Sequence, residues 1–110
     1  MISLIEGKRG LLADLCRRYG VQRLELFGSA ATAAFDPGRS DLDFLVEFLP
    51  EQDLGPWLRY YFAFQKELVQ LFGRPVDLVL ATAVKNPHFQ RELERTRTLL
   101  YAAQDAKTAG

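Results

Sequence analysis

The feature that most constrains this chain is a pair of aspartates, Asp41 and Asp43, in an otherwise apolar segment. The alternation predicts a β-strand, because successive side chains in a strand point to opposite faces. The two aspartates then share one face, with Cα atoms roughly 6.6 Å apart at the usual rise per residue. The other face is apolar and is expected to pack on a core; it consists of Leu42, Phe44, Val46 and Phe48.

A Gly-Ser pair, Gly28-Ser29, follows an earlier strand predicted over Val21–Phe27 and is expected to open a short helix. Glycine lets the backbone approach a ligand, and a helix N-terminus attracts anions such as phosphate. Ser29 could cap the helix or donate its hydroxyl to a phosphate oxygen. The paired carboxylates suit Mg²⁺, which is commonly bound by one or two carboxylates together with substrate phosphates. The combination indicates a site that moves a phosphate-bearing group.

A third aspartate, Asp77, lies in the apolar segment 76–80, which is predicted to be another strand. An acid in so apolar a strand is expected to be hydrogen-bonded, paired or bound to a metal, because a bare buried carboxylate is costly. It could cap a neighbouring turn. The pair at Asp41 and Asp43 favours the alternative that Asp77 is a third carboxylate of the same site.

Two residues beside the aspartates are further candidates for contact with a nucleotide. Arg39 could touch a phosphate group, although an arginine in a turn-rich segment such as Asp36-Pro37-Gly38 can also be simply solvated. Ser40 could bind the ligand or use its hydroxyl to stabilise the turn. Both are retained as candidate nucleotide-binding residues.

The pattern Gly28-Ser29, ten residues, then Ser40-Asp41-Leu42-Asp43 resembles the signature of the DNA polymerase beta-like nucleotidyltransferase superfamily. The short chain, with Asp77 in Gly73-Arg74-Pro75-Val76-Asp77, resembles the minimal nucleotidyltransferase (MNT) branch. The resemblance extends from about Ile5 to Tyr101. It implies a small α/β domain with a mixed sheet of three or more strands flanked by helices.

The resemblance also implies an activity. Asp41, Asp43 and Asp77 would bind Mg²⁺, with two ions expected, and Asp77 would help to activate an attacking hydroxyl. Gly28 and Ser29 would hold the phosphates of ATP. MNT proteins resemble antitoxins that accompany HEPN-domain toxins, and some transfer AMP to a toxin tyrosine. The expected function is therefore Mg²⁺-dependent transfer of AMP from ATP to a hydroxyl of a HEPN-domain partner.

One residue departs from the family pattern. Ala33 stands about where the family usually has a glycine, four residues after the serine, and Thr32 replaces a frequent basic residue. A Cβ at this point could hinder a close approach of the backbone to the triphosphate. The alternative function is accordingly a catalytically weak or inactive binding module that neutralises its partner by complex formation.

Composition restricts the partners. With 110 residues the chain is expected to form one domain, at 1–103, followed by a flexible tail at 104–110. The 14 basic residues balance the 14 acidic ones, which argues against an extended nucleic-acid surface. A single cysteine excludes an internal disulfide, and no apolar run is long enough to span a membrane. Because a signal peptide is also missing, we expect a cytoplasmic protein.

Apolar periodicity predicts three long helices around the strands. They cover residues 3–19, residues 54–72 and a last segment that starts at Asn86-Pro87 and continues to Ala103. In the strand 21–27, Arg23 and Glu25 are expected to point outward. The middle helix is expected to bury an apolar and largely aromatic stripe, which comprises Leu54, Trp57, Leu58, Tyr61, Phe62, Gln65, Leu68, Val69 and Phe72.

Overall fold

Four strands and four α-helices occur in the computed structural model, which describes residues 3–32 and 41–103. The strands are β1 (Val21–Phe27), β2 (Leu42–Phe48), β3 (Val76–Leu80) and β4 (Thr98–Ala102). The helices are α1 (Ser3–Glu6), α2 (Arg9–Arg18), α3 (Arg59–Phe72) and α4 (Pro87–Thr96). Three-residue and four-residue 3-10 turns follow β1, precede α3 and follow β3.

The strands form one mixed sheet in the order β3-β2-β1-β4. Strand β1 is antiparallel to both β2 and β4, whereas β2 and β3 are parallel. The parallel pair needs a crossover connection, and α3 provides it. The α/β class and the mixed sheet are therefore confirmed, with β4 as an additional edge strand.

One face of the sheet packs on α2 and α3 and forms the main core. The alternation predicted for β1 and β2 is confirmed, because Leu24, Leu26, Leu42, Phe44 and Val46 are all inaccessible to solvent. They pack with helix residues that include Leu12, Leu15, Phe64 and Leu68. The odd-numbered residues of β2, including Asp43, consequently lie on the opposite face.

Helix α4 covers part of that opposite face. Phe27, Leu45 and Leu93 form a second, smaller apolar cluster there, and the rings of Phe27 and Phe89 meet edge to face with centroids 5.5 Å apart. Asn86 caps α4 as predicted, since its side-chain oxygen accepts hydrogen bonds from the N–H groups of the first turn. This cluster holds α4 over the strand that carries Asp43.

The first predicted helix is divided into α1 and α2. The break lies at Gly7 and Lys8, where glycine is a poor helix former. The end of the helix agrees with the prediction, because Gly20 follows it with a left-handed φ of 69°.

The second predicted helix begins later than expected. Gly55 (φ 79°) is followed by Pro56, and Trp57 and Leu58 both have left-handed backbone angles, so regular helix starts only at Arg59. The buried stripe was also partly wrong: Trp57 is 93% exposed and Phe62 is 55% exposed, whereas Phe64 is fully buried.

The last predicted helix ends at Thr96 and does not continue to Ala103. Arg97 leaves the helical conformation (ψ 134°), and Thr98–Ala102 pairs with β1 as strand β4. The side chains of this strand alternate, so Leu100 is buried whereas Leu99 is 44% exposed.

Several predictions concern residues outside the described ranges. They are the departure at Ala33, the turn at 36–38, the candidate residues Arg39 and Ser40, and the tail 104–110. Within residues 3–32 and 41–103, no helix combines the length and the apolar character that crossing a membrane requires.

Candidate active site

Asp43 and Asp77 are neighbours across the parallel strands β2 and β3. The register of this pair places Asp43 directly opposite Asp77 on the neighbouring strand. Two ionised carboxylates on facing positions repel each other, and a proton or a cation between them relieves the repulsion. Two of the acids that the sequence predicts to act together are thus neighbours in the sheet.

The pKa of Asp43 is raised from 3.8 to about 6. Burial is the main cause, followed by the negative charge of Asp77 and then that of Asp41. Asp43 is half-buried, whereas Asp41 and Asp77 are exposed. The premise that Asp77 is buried in an apolar strand was therefore wrong, although its proximity to the other acids agrees with the expected grouping.

The starts of β2 and β3 lie side by side. The N–H of Leu42 donates a hydrogen bond to the carbonyl of Pro75, with a distance of 3.2 Å. Asp41 directly precedes β2, so it is placed at the same end of the sheet as the Asp43–Asp77 pair. All three aspartates therefore belong to one edge of the domain.

The Gly28 turn packs directly on this pair. Gly28 has a φ of 74°, and a Cβ added to it would lie 2.5 Å from a carboxylate oxygen of Asp43. Both the backbone angle and the close approach favour glycine. Gly28–Ala31 forms a 3-10 turn of four residues. The predicted short helix is thus, in the described part, a single tight turn.

Thr96 contacts this turn, although the sequence predicted it only as one residue of the last helix. The N–H of Gly28 donates a hydrogen bond to Thr96 Oγ1 (3.1 Å), and the Thr96 hydroxyl donates to the carbonyl of Glu92 (3.1 Å). The two partners are 68 residues apart in sequence, and no local pattern indicates such a contact.

Helix α3 supports the strand that carries Asp77. Tyr61 donates its hydroxyl to the carbonyl of Leu78, and Gln65 donates to the carbonyl of Val76 (2.9 Å). Burial raises the pKa of Tyr61, and the charge of Asp77 raises it further. The sequence predicted Tyr61 and Gln65 as core residues; they also satisfy backbone groups on both sides of Asp77 at the sheet edge.

A different carboxylate lies on the same sheet face, one pair of residues further along. Glu25 is only 3% exposed, and it accepts hydrogen bonds from Arg97 Nη2 (2.7 Å), Arg97 Nε (3.1 Å) and Arg23 Nε (3.1 Å). Glu25 points away from the main core as expected, but it is buried because two arginines cover it.

The acid cluster is not a completed metal site. Among the residues that the structure describes, no group of three or more His, Cys, Asp or Glu side chains is already arranged to hold a metal ion. The ligand atoms at the edge are all carboxylate oxygens, which suit Mg²⁺. A cation would also remove the repulsion that raises the pKa of Asp43. The chemistry of these side chains therefore fits a divalent cation.

The aspartates lie outside the cleft beside α4. That cleft has a volume of about 610 Å³, and its floor includes Leu45, Ala81, Val84 and Leu93. None of the three aspartates lines it. The candidate active site is consequently defined by its acids and the Gly28 turn, at an open edge of the sheet.

Comparison with known proteins identifies the class to which this fold and site belong. Residues 8–100 match the family model described as a nucleotidyltransferase domain. A curated protein of Methanocaldococcus jannaschii, provisionally named a protein adenylyltransferase, is 36% identical over 80 residues, which are 73% of this chain and 76% of the relative. The chain therefore belongs to the nucleotidyltransferase domain family and is a nucleotidyltransferase.

Solved structures show the same fold. A structure provisionally described as a minimal nucleotidyltransferase is 27% identical, with a TM-score of 0.68 over 88% of this chain and 95% of the other. A toxin–antitoxin structure with AMP-PNP has a TM-score of 0.66 at 18% identity, over 92% of this chain and 78% of the other. A complex of a tri-AMPylated Shewanella oneidensis HEPN toxin with an MNT antitoxin has a TM-score of 0.62 at 17% identity, over 94% of this chain and 77% of the other.

Proposed function

We propose that this chain transfers AMP from ATP to a hydroxyl of a partner protein, and that the partner is a HEPN-domain toxin which it neutralises as an antitoxin. The family and the relative named as a protein adenylyltransferase support the reaction. The solved toxin–antitoxin complexes of the same fold support the type of partner. The observation that carries the proposal is the Asp43–Asp77 pair in contact with the Gly28 turn.

In this proposal Asp41, Asp43 and Asp77 hold Mg²⁺, with two ions in the manner that the family resemblance implies. When bound, Mg²⁺ neutralises charge on the triphosphate and polarises the phosphoryl oxygens. The half-buried position of Asp43 makes its carboxylate the least hydrated of the three. A cation is therefore expected to interact most strongly with Asp43.

The residues of the chain orient the substrates. Gly28 lets the turn lie against Asp43, and Ser29 donates to a phosphate oxygen of ATP, while Arg39 and Ser40 are proposed to make further nucleotide contacts. The acceptor oxygen attacks the α-phosphorus, the bond to the bridging oxygen of the β-phosphate breaks, and pyrophosphate leaves. Asp77, which is exposed, accepts the proton of the attacking hydroxyl.

A protein acceptor agrees with the surface near α3. Trp57 and Phe62 are large apolar side chains that are exposed, and Phe62 contacts the ring of Tyr61, which in turn contacts the strand of Asp77. We propose that the partner protein covers these two side chains when it binds. This part of the surface lies on the element that supports the proposed catalytic edge.

The test is an intact-mass measurement of a HEPN-domain protein that is co-expressed with this chain. The two proteins are incubated with ATP and Mg²⁺, and the double variant Asp41→Asn/Asp43→Asn provides the control. The proposal predicts that the partner gains the mass of AMP with the wild type and gains nothing with the variant. A stable complex without any mass change would contradict transfer, and it would favour neutralisation by binding alone.

A further inference from the structure

We propose that Thr96 is a positioning residue for the Gly28-Ser29 turn and that its hydroxyl sets the affinity of the site for the triphosphate of ATP. The inference rests on the proposed function, since it assumes that this turn contacts the nucleotide. It adds a residue that lies far from the turn in sequence, at the last position of α4.

The Thr96 hydroxyl has a defined orientation. Its hydrogen is directed to the carbonyl of Glu92 at 3.1 Å, one helical turn earlier, which leaves the oxygen free to accept from Gly28 N–H at 3.1 Å. A hydroxyl can satisfy both partners at once, whereas an aliphatic side chain of the same shape satisfies neither. The Gly28 N–H is thereby engaged within the protein.

The position of Gly28 controls the space above Asp43. The turn approaches so closely that a Cβ on Gly28 would be 2.5 Å from the carboxylate of Asp43. A displacement of Gly28 by a fraction of an ångström therefore changes its contact with Asp43. The same displacement moves Ser29, which directly follows and is the proposed phosphate-binding residue.

The end of α4 is itself fixed to the strand that leads into the turn. Arg97, the residue after Thr96, binds the buried carboxylate of Glu25 through Nη2 at 2.7 Å and Nε at 3.1 Å. Glu25 is in β1, three residues before Gly28. Thr98, the residue after Arg97, begins β4 and pairs with Leu26 of β1.

These contacts together fix the end of α4 and the start of β4 against the segment 25–28. The segment 25–28 is contacted by each of three consecutive residues, Thr96, Arg97 and Thr98. The hydrogen bond from the Gly28 N–H to the Thr96 hydroxyl therefore joins two segments that are already held together. Such preorganisation lowers the cost of ordering the turn when a nucleotide binds. The effect is expected in nucleotide affinity, because the turn would hold the phosphates both in the substrate and in the transition state.

The experiment compares Thr96→Val with Thr96→Ser and with the matched control Thr98→Val. Valine keeps the volume of threonine but cannot accept from Gly28, whereas serine retains the hydroxyl. The Thr98 hydroxyl donates to the carbonyl of Thr96 and does not contact the turn in any described hydrogen bond. Binding of Mg²⁺-ATP is measured by calorimetry without any acceptor protein, and amide hydrogen exchange of Gly28 is measured without nucleotide.

Loss of one such hydrogen bond corresponds to a roughly three- to tenfold weaker binding of Mg²⁺-ATP by Thr96→Val. Faster exchange of the Gly28 amide is expected in the same variant, with Thr96→Ser and Thr98→Val close to the wild type. A purely structural role would lower the fraction of folded, binding-competent protein but leave the dissociation constant of that fraction unchanged. Thr96→Ala serves as a second variant if Thr96→Val does not fold.

The outcomes separate the inference from the proposed function. An unchanged dissociation constant in Thr96→Val, together with faster exchange at Gly28, would overturn the positioning role while ATP binding by the wild type still supports the proposed function. Failure of the wild type to bind Mg²⁺-ATP would contradict the proposed function itself, and the positioning role would be overturned with it.

Discussion

Two acidic sites lie side by side on the same face of the sheet, and they are neutralised in opposite ways. Glu25 is almost completely buried and is bound by two arginines. Asp43, on the neighbouring strand, has another carboxylate as its partner, and its pKa is raised to about 6. A neutralised acid stabilises the fold, whereas two adjacent acids oppose each other unless a proton or a cation joins them.

The comparison distinguishes a carboxylate that is neutralised within the fold from one that we propose to bind a ligand. Glu25 connects β1 to the end of α4 and leaves no charge without a partner. The Asp43–Asp77 pair keeps an unfavourable interaction at an open edge beside a glycine turn, which is typical of sites that bind a ligand. Three variants and one pH series test whether the two acids differ in this way.

The largest effect is expected for Asp43→Asn. Asparagine keeps the volume but removes the charge, so AMP transfer should fall by on the order of 10³-fold, since electrostatic stabilisation of the transferred phosphoryl group is lost. The melting temperature at pH 8 should stay the same or rise, because the repulsion with Asp77 is removed. Transfer of labelled AMP and thermal unfolding are the measurements. The control is Glu47→Gln, an exposed acid on the same face of β2; equal loss of transfer in both variants would contradict the assignment.

The next largest effect is expected for Gly28→Ala. The added Cβ would meet the Asp43 carboxylate at 2.5 Å, and the positive φ is unfavourable for alanine. Gly73→Ala is a matched control, since Gly73 has a φ of 69° and no atom lies within 4 Å of an added Cβ. Both variants should lose about 1 kcal/mol of unfolding free energy. Only Gly28→Ala should also lose transfer, and full activity in this variant would contradict the close packing on Asp43.

A moderate effect on stability is expected for Glu25→Gln. The change leaves Arg97 and Arg23 facing a neutral group, and the free energy of unfolding should fall by about 2 kcal/mol because the side chains of both arginines retain some contact with solvent. Glu94→Gln is the control, since Glu94 also binds Arg97 but its side chain is 70% exposed. The free energy of unfolding should fall by at most about 0.5 kcal/mol in Glu94→Gln. Equal losses in denaturant unfolding would show that burial does not distinguish the two acids.

The smallest expected effect is the dependence of the melting temperature on pH. The folded-state pKa of Asp43 lies above the ordinary value of 3.8, so the folded protein binds this proton more tightly than the unfolded chain does. The stabilisation is complete below about pH 4 and is lost as the pH rises through about 6. The melting temperature of the wild type, relative to that of Asp43→Asn, should therefore decrease between pH 5 and pH 8, two values that bracket this pKa. Added Mg²⁺ should reverse the decrease at pH 8, and a difference independent of pH would contradict the raised pKa.

The sequence predicted those parts of the fold that depend on local pattern. Alternation and flanking turn residues predicted β1, β2 and β3 and the fold class, and the spacing of Asp41, Asp43 and Asp77 anticipated that these acids would share one edge. The glycine at position 28 was identified as a turn residue from its sequence context. Its steric role against Asp43 needed the β1–β2 register, which brings Phe27 and Asp43 together.

The remaining features depend on contacts between distant segments. Strand β4 follows a helix without a break in the apolar pattern, and it forms because the free edge of β1 accepts it as a partner. The ion pair of Glu25 with Arg97 and the bond of Gly28 to Thr96 join residues 72 and 68 positions apart. The aromatic stripe predicted for this segment included Trp57 and Leu58, but their left-handed backbone angles keep both residues outside the regular helix.

The most direct test of the account is an anomalous diffraction measurement on crystals grown with Mn²⁺ and α,β-methylene-ATP, in which the bond that the reaction would break is replaced by a stable one. Mn²⁺ stands for Mg²⁺ and gives an anomalous signal. The account predicts a Mn²⁺ peak in contact with the carboxylates of Asp43 and Asp77 and with the triphosphate beside the Gly28 turn. A Mn²⁺ peak bound to the nucleotide alone, with neither Asp43 nor Asp77 in contact with it, would contradict it.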